Sequence, residues 1–377
     1  MDGPALGQSS RGSRKQQQQK RFQTSLTILV LVAVLALAVW IARPLWIGTE
    51  PADTTGQTTL LQTSQSDTQS EPATTGPTTG VTPTPGMTTT LSLPTPAPTM
   101  SAAERQRRLA EAGDAVTALL QSNPSGRFGV YFENLTGGET WTYQEEQPFV
   151  AASSIKLALN TLFYIRIAQG QIRAEEILVY DSRPYPTGDY ESGTGILQGM
   201  PNGTRLTAAE TSSLSIRISD NCATNMVIRR LGGIDAINPW LNEISGQVDY
   251  RLSVTYKNYA GQTQSGRHRT CARDLGLHAV NLYRLWLADP PAFEPLLENL
   301  SQTEFDFGIQ KGVPADVRVA HKIGTNGAYA AENDTGIIFA DEPFALCVMT
   351  ELASATKARQ IQADIARIFY EHVCSLQ

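Results

Sequence analysis

Four cysteines and four histidines in 377 residues leave little from which to build a metal centre. Cys222, Cys271, Cys347 and Cys374 share no C-x-x-C spacing, and His268, His278, His321 and His372 form no H-x-x-x-H pair. A zinc site therefore has no ligand pattern to start from, and neither a metal nor an organic cofactor is expected. Positive charge is also short: 30 Lys and Arg against 36 Asp and Glu give −6, and residues 101–377 alone carry −7. Such a surface neutralises phosphates poorly, which argues against nucleic-acid binding. Outside one low-complexity tract no repeat recurs at a solenoid or propeller period.

What the sequence does have begins with a run of 21 uncharged residues, Phe22 to Ala42, long enough to cross the roughly 30 Å hydrocarbon layer as a helix. Arg11, Arg14, Lys15, Lys20 and Arg21 precede it and only Arg43 follows closely. The positive-inside bias then keeps the N-terminus cytoplasmic and the bulk of the chain outside. The run exceeds the usual signal-peptide core and ends in WIARPLW rather than at a small-residue cleavage site, so a retained single-pass anchor in the lipid bilayer is expected. Residues 43–100 are rich in Thr, Pro, Ser and Gly and cannot bury enough apolar surface to fold. The chain thus divides into a basic tail (1–21), an anchor (22–42), a linker (43–100) and a folded domain (101–377).

The folded domain opens with a helix: Ser101 and Glu104 can form a capping box, and Leu109, Ala112, Val116 and Leu119 follow at helical spacing. A hairpin comes next, Phe128 to Leu135 and Thr140 to Tyr143 around a Gly137-Gly138 turn. The stretch from Ser154 to Leu287 is mostly helical in period, with Thr207 as a cap. Three late strands, Val317 to Ile323, Thr335 to Ala340 and Phe344 to Thr350, precede a last helix with Ile361, Ile365, Ile368 and Phe369 on one stripe. Strands at both ends with helices between them predict an α/β (α+β) fold: one antiparallel sheet built from both termini, helices on its faces and a helical region inserted. The four cysteines allow three disulfide pairings; Cys347, inside the apolar strand, reads as a core residue.

Three short motifs could carry chemistry. Ser153 and Lys156 stand at i and i+3, which on a helix puts hydroxyl and amine on one face, and a buried amine loses basicity and can take a serine proton. Ser354 and Lys357 have the same spacing, but there the serine reads as the N-cap of the last helix. Ser153 differs because apolar residues flank it on both sides, which turns Lys156 inward. Ser219-Asp220-Asn221 follows, and then Lys322-Ile323-Gly324-Thr325 on a strand, where a glycine permits close approach of a ligand.

In this order and spacing the motifs match the set S-x-x-K, S-D-N and K-T-G, and residues 100–377 resemble the class A β-lactamase and low-molecular-mass penicillin-binding protein superfamily. The resemblance implies a β-lactamase/transpeptidase-like fold and a serine acyl-hydrolase acting on β-lactams or peptidoglycan stem peptides ending in D-Ala-D-Ala. It makes Ser153 the nucleophile, Lys156 its activating base and Ser219 the donor of a proton to the leaving nitrogen. Asn221 would hold the substrate's side-chain amide, Lys322 would attract its carboxylate, and Gly324 and Thr325 would line the site. The backbone N–H groups of Ser153 and Thr325 would form the oxyanion hole.

Two departures from the pattern matter. Ile323 replaces the threonine of K-T-G, a hydroxyl that Thr325 partly restores. Class A β-lactamases also carry a glutamate about 36 residues after the S-D-N serine, which activates water for deacylation. No acidic residue occurs here between Asp249 and Asp274, and Asp274 itself reads as a first-turn helix residue. The expectation is therefore a D-Ala-D-Ala-peptidase-like enzyme. A true β-lactamase with another water activator is the alternative within enzymes, and an inactive wall-binding or antibiotic-sensing module the alternative outside them. Tyr256-Lys257-Asn258 has the Y-x-N form used elsewhere in the superfamily, but that layout leaves a much longer stretch before the strand lysine than separates it from Lys322 here.

Overall fold

The computed structural model describes residues 100–245, 254–257, 263–266 and 269–377. The expected tail, anchor and nearly all of the linker, and residues 250–253, 258–262 and 267–268 of the stretch between Asp249 and Asp274, lie outside the described residues. Among the described residues no helix is long and apolar enough to cross a membrane.

In chain order the elements are α1 (Ala102–Gln121), β1 (Arg127–Asn134), β2 (Thr140–Tyr143), β3 (Phe149–Val150), a 3₁₀ turn (Ala152–Ile155), α2 (Lys156–Ala168), β4 (Ile177–Val179), β5 (Arg205–Thr207), α3 (Ala208–Arg217), α4 (Asn221–Arg230) and α5 (Ile234–Ser245). They continue as β6 (Val254–Lys257), β7 (Thr263–Gly266), β8 (Arg269–Thr270), α6 (Ala272–Ala288), α7 (Pro290–Ser301), β9 (Val319–Asn326), β10 (Ala331–Ile338), β11 (Phe344–Glu351) and α8 (Ala355–Cys374).

Five strands form one antiparallel sheet in the order β2-β1-β11-β10-β9, so strands from both ends of the domain meet at its centre as expected. The pleat sends alternate side chains to opposite faces. Val130, Phe132, Leu346 and Val348 pack with Leu109 of α1 and Ile365 and Phe369 of α8. Tyr131, Cys347 and Met349 pack on the other face with Leu275 and Ala279 of α6. The Phe132 and Phe369 rings stack with centroids 4.3 Å apart, and truncating a buried Phe of this kind costs about 3–5 kcal/mol. The expected α/β (α+β) architecture, one antiparallel sheet built from both termini with helices on its faces, is the one observed.

Local details depart from expectation for identifiable reasons. Ser101 caps α1 by accepting from Glu104 N, but the Glu104 carboxylate bonds Arg107 and Arg108, so only half of that capping box forms. The complete box is at Thr207 and Glu210 on α3. Strand β10 starts four residues before Thr335, because the polar run Glu332, Asn333 and Asp334 is buried with partners: Arg359, the carbonyls of Val150 and Ala151, and His321 with Ile309 N. The inserted region is not purely helical, since β4 pairs with β5 and β6 with β7. All four cysteines are free, Cys347 buried in the core as anticipated.

Candidate active site

The chain leaves β3 through Ala152, whose φ of 48° is unusual for a residue with a side chain, and turns directly into the 3₁₀ segment that holds Ser153. Side chains at i and i+3 eclipse in such a turn, so Ser153 and Lys156 fall on one side although Ser153 precedes the α-helix proper. Ser153 is half-buried at the wall of a cleft of about 360 Å³, and its hydroxyl has no hydrogen-bond partner among the described residues.

Lys156 is 4% exposed, and its ammonium is directed at the S-D-N turn. Nζ donates to Ser219 O (2.7 Å), Asn221 Oδ1 (2.8 Å) and Ser219 Oγ (3.2 Å). Burial pulls its pKa down to about 7, against the opposing fields of Asp220 and Glu191. Ser219 reaches this position with a φ of 56°, a second strained residue beside the cleft. Asn221 is held at both ends: its Oδ1 accepts from Lys156 and its Nδ2 donates to Ser192 O at 3.2 Å.

Asp220 fixes the turn. It is fully buried, caps α4 by accepting from Ala223 N (2.9 Å), and accepts from Ile196 N (2.7 Å) and Leu197 N (2.9 Å) through its other oxygen. Gly195, at φ 108°, approaches that carboxylate so closely that a Cβ would collide with it.

The third motif lies on β9, the edge strand of the sheet. Gly324 permits a close approach between β9 and the nucleophile turn. A Cβ there would lie 2.5 Å from Ser154 N, 2.6 Å from Ala151 O and 3.0 Å from Ser153 N. Thr325 is exposed in the cleft, while Ile323, two residues back, is buried. Lys322 is fully buried behind this wall and does not line the cleft. Its Nζ donates to Ile323 O (2.8 Å) and lies 5.5 Å from the Phe305 ring centre, and burial pushes its pKa well below the usual lysine range.

Six of the seven residues singled out from the sequence are therefore within one small region: Ser153, Lys156, Ser219, Asn221, Gly324 and Thr325, with Lys322 just behind. Ser354 caps α8 by accepting from Lys357 N at 3.3 Å, and Lys357 is exposed, as read from its context. Asp274 is in the first turn of α6. Glu191 and Asn225 are among the cleft residues not singled out beforehand; they come together because the segment around Glu191 folds over α4.

Comparison with known proteins agrees with this geometry. A profile of the beta-lactamase enzyme family matches residues 111–373. A beta-lactamase of Streptomyces albus G is 27% identical over 285 residues, covering 72% of this chain and 85% of that protein. Beta-lactamase SME-1 of Serratia marcescens is 26% identical over 223 residues, 58% of this chain and 74% of that one. Among solved structures, a PBP-A variant in an acyl-enzyme complex with penicillin G superposes with a TM-score of 0.60 at 24% identity, over 71% of this chain and 97% of that one. A beta-lactamase from Sphaerobacter thermophilus gives 0.56 at 24% identity, over 70% and 95%. With a family match over most of the folded domain, Lys156 bonded to the S-D-N turn and Ser153 lining the same cleft, the chain belongs to the beta-lactamase enzyme family and is a serine acyl-hydrolase of that family.

Proposed function

We propose that the protein is a membrane-anchored, extracytoplasmic penicillin-recognising enzyme that forms an acyl-enzyme on Ser153 with β-lactams or D-Ala-D-Ala peptides and releases it slowly, in the manner of a D-Ala-D-Ala peptidase. The observation that carries the reading is the buried Lys156, whose pKa of about 7 and contact with Ser219 suit it to move protons at neutral pH. In this reading Ser153 Oγ attacks the carbonyl carbon as Lys156 takes its proton, and Ser219 passes a proton to the leaving nitrogen. The backbone N–H groups of Ser153 and Thr325 stabilise the oxyanion; the edge position of β9 and the close seating of Gly324 on the Ser153 turn support that pairing. Asn221 contacts the substrate's side-chain amide. An arriving carboxylate would favour the charged form of Lys322 and draw its ammonium from Ile323 O.

Slow release follows from the lack of acidic residues between Asp249 and Asp274. General-base assistance is worth about 10² to 10⁴ in rate, so losing the carboxylate of that loop retards deacylation within that range, whatever slower release another group of the cleft supports. A true β-lactamase is the second reading, favoured by the names of the relatives. Incubation with a fluorescent penicillin, followed by gel detection over hours, separates the two. A persistent adduct with little turnover of a chromogenic cephalosporin is expected. Rapid, Ser153-dependent turnover of that cephalosporin would replace the peptidase-like reading with the β-lactamase one.

A further inference from the structure

The segment from Asp189 to Leu197 is strapped along α4 at successive points. Arg229 forks the buried Asp189 carboxylate at 2.8 and 2.9 Å, and Asn225 Nδ2 donates to Asp189 O at 3.2 Å. Cys222 Sγ accepts from Glu191 N at 3.4 Å, and its thiol lies 3.5 Å from Glu191 O. Asn221 contributes its N–H to Thr194 O (3.1 Å) and its side-chain amide to Ser192 O. These bonds fix the backbone on both sides of Glu191. Its carboxylate is then held by Asn225 Nδ2, 3.1 Å from Oε2, on the wall of the cleft that also contains Ser153 and Lys156.

Among the described residues that line this cleft, Glu191 is the one carboxylate. Asp220, the other acid of the turn, is buried with both oxygens engaged by backbone N–H groups. Lys156, the other base, has three N–H donors and three acceptors around it, all in the S-D-N turn. A carboxylate offers about four acceptor directions, and one oxygen of Glu191 accepts from Asn225. The field of Glu191 already reaches Lys156, as expected for two groups serving one cavity.

We propose that Glu191 is the general base that activates water to hydrolyse the Ser153 acyl-enzyme. This rests on the acyl-enzyme reading above and assigns whatever deacylation that enzyme performs to a carboxylate on the α4 strap, before the S-D-N turn in sequence. Water oxygen forms a bond to the acyl carbon while one of its protons moves to Glu191, and the carbonyl electron pair moves onto oxygen. When the pair returns, the bond between acyl carbon and Ser153 Oγ breaks and Oγ takes up that proton. The products are a carboxylic acid and free Ser153, with water the only reactant added.

The test uses the full chain and a fluorescent penicillin, reading the labelling rate and then, after removal of excess probe, the decay of the adduct by intact mass. In Glu191→Gln, which keeps an acceptor for Asn225, labelling should stay within about twofold while the adduct lifetime lengthens by about 10²-fold or more, the scale of a lost general base. Formate added to Glu191→Ala should shorten that lifetime again, a response that a merely structural role would not produce. An unchanged lifetime in Glu191→Gln, or labelling and decay slowing together without formate rescue, would overturn the assignment while leaving the acyl-enzyme reading intact. Absence of any adduct in the unmodified protein would remove both.

Discussion

Lys156 Nζ faces three acceptors, Ser219 O, Ser219 Oγ and Asn221 Oδ1, so each of its protons has a partner when it is charged. Burial outweighs those contacts and brings its pKa to about 7 from an ordinary 10.5. Between these values the unfolded chain holds a proton that the folded one does not, so this group adds stability as pH rises through the window and removes it as pH falls towards 7. The same titration governs chemistry, because only the neutral amine can accept the Ser153 proton. The rate of penicillin labelling should climb about tenfold per pH unit below 7 and level off above it. Lys156→Arg, which stays protonated throughout, should not label at any of these pH values. A flat pH profile, or an Arg variant with substantial labelling, would contradict this role. At this scale the sequence distinguished Ser153 from Ser354 through the apolar residues around the first, which bury its lysine partner. Asp220 as an anchor and Glu191 as a cleft residue were not legible, because their partners, Ile196, Leu197 and Asn225, lie far along the chain and follow no periodic pattern.

Two strained residues, Ala152 and Ser219, and one glycine, Gly324, mark where elements are forced together around the cleft. The edge strand β9 can sit against the nucleophile turn only because Gly324 has no side chain. Gly324→Ala should push the two apart. Overpacking of this kind costs about 1–3 kcal/mol, and misplacing reacting groups by about 1 Å can cost 10²-fold in rate. The expected result is a labelling rate lowered by about 10² with a modest fall in melting temperature; a variant that labels at the normal rate would show that the seating does not position the oxyanion hole. The elements themselves were readable where apolar alternation or a turn signal is strong, as in the β1-β2 hairpin and β11. The early half of β10 was not, since Glu332, Asn333 and Asp334 look like a loop until Arg359, the β3 carbonyls and His321 are seen to satisfy them.

For the whole molecule, the proposed anchoring through residues 22–42 and tethering by residues 43–100 would suit a substrate layer close to a membrane. About fifty Thr/Pro-rich residues span roughly 40 Å as a coil and up to about 150 Å when extended. The protein should therefore fractionate with membranes, and protease added outside cells stripped of their outer layers should release the folded domain by cutting within the linker; recovery of the domain only in the cytosol would reverse this topology. Labelling of the chain by penicillin, read as intact mass in the unmodified protein, Ser153→Ala and Ser354→Ala, tests the central claim most directly. One acyl adduct is predicted in the unmodified protein and in Ser354→Ala, and none in Ser153→Ala. An adduct that survives in Ser153→Ala would contradict the mechanism.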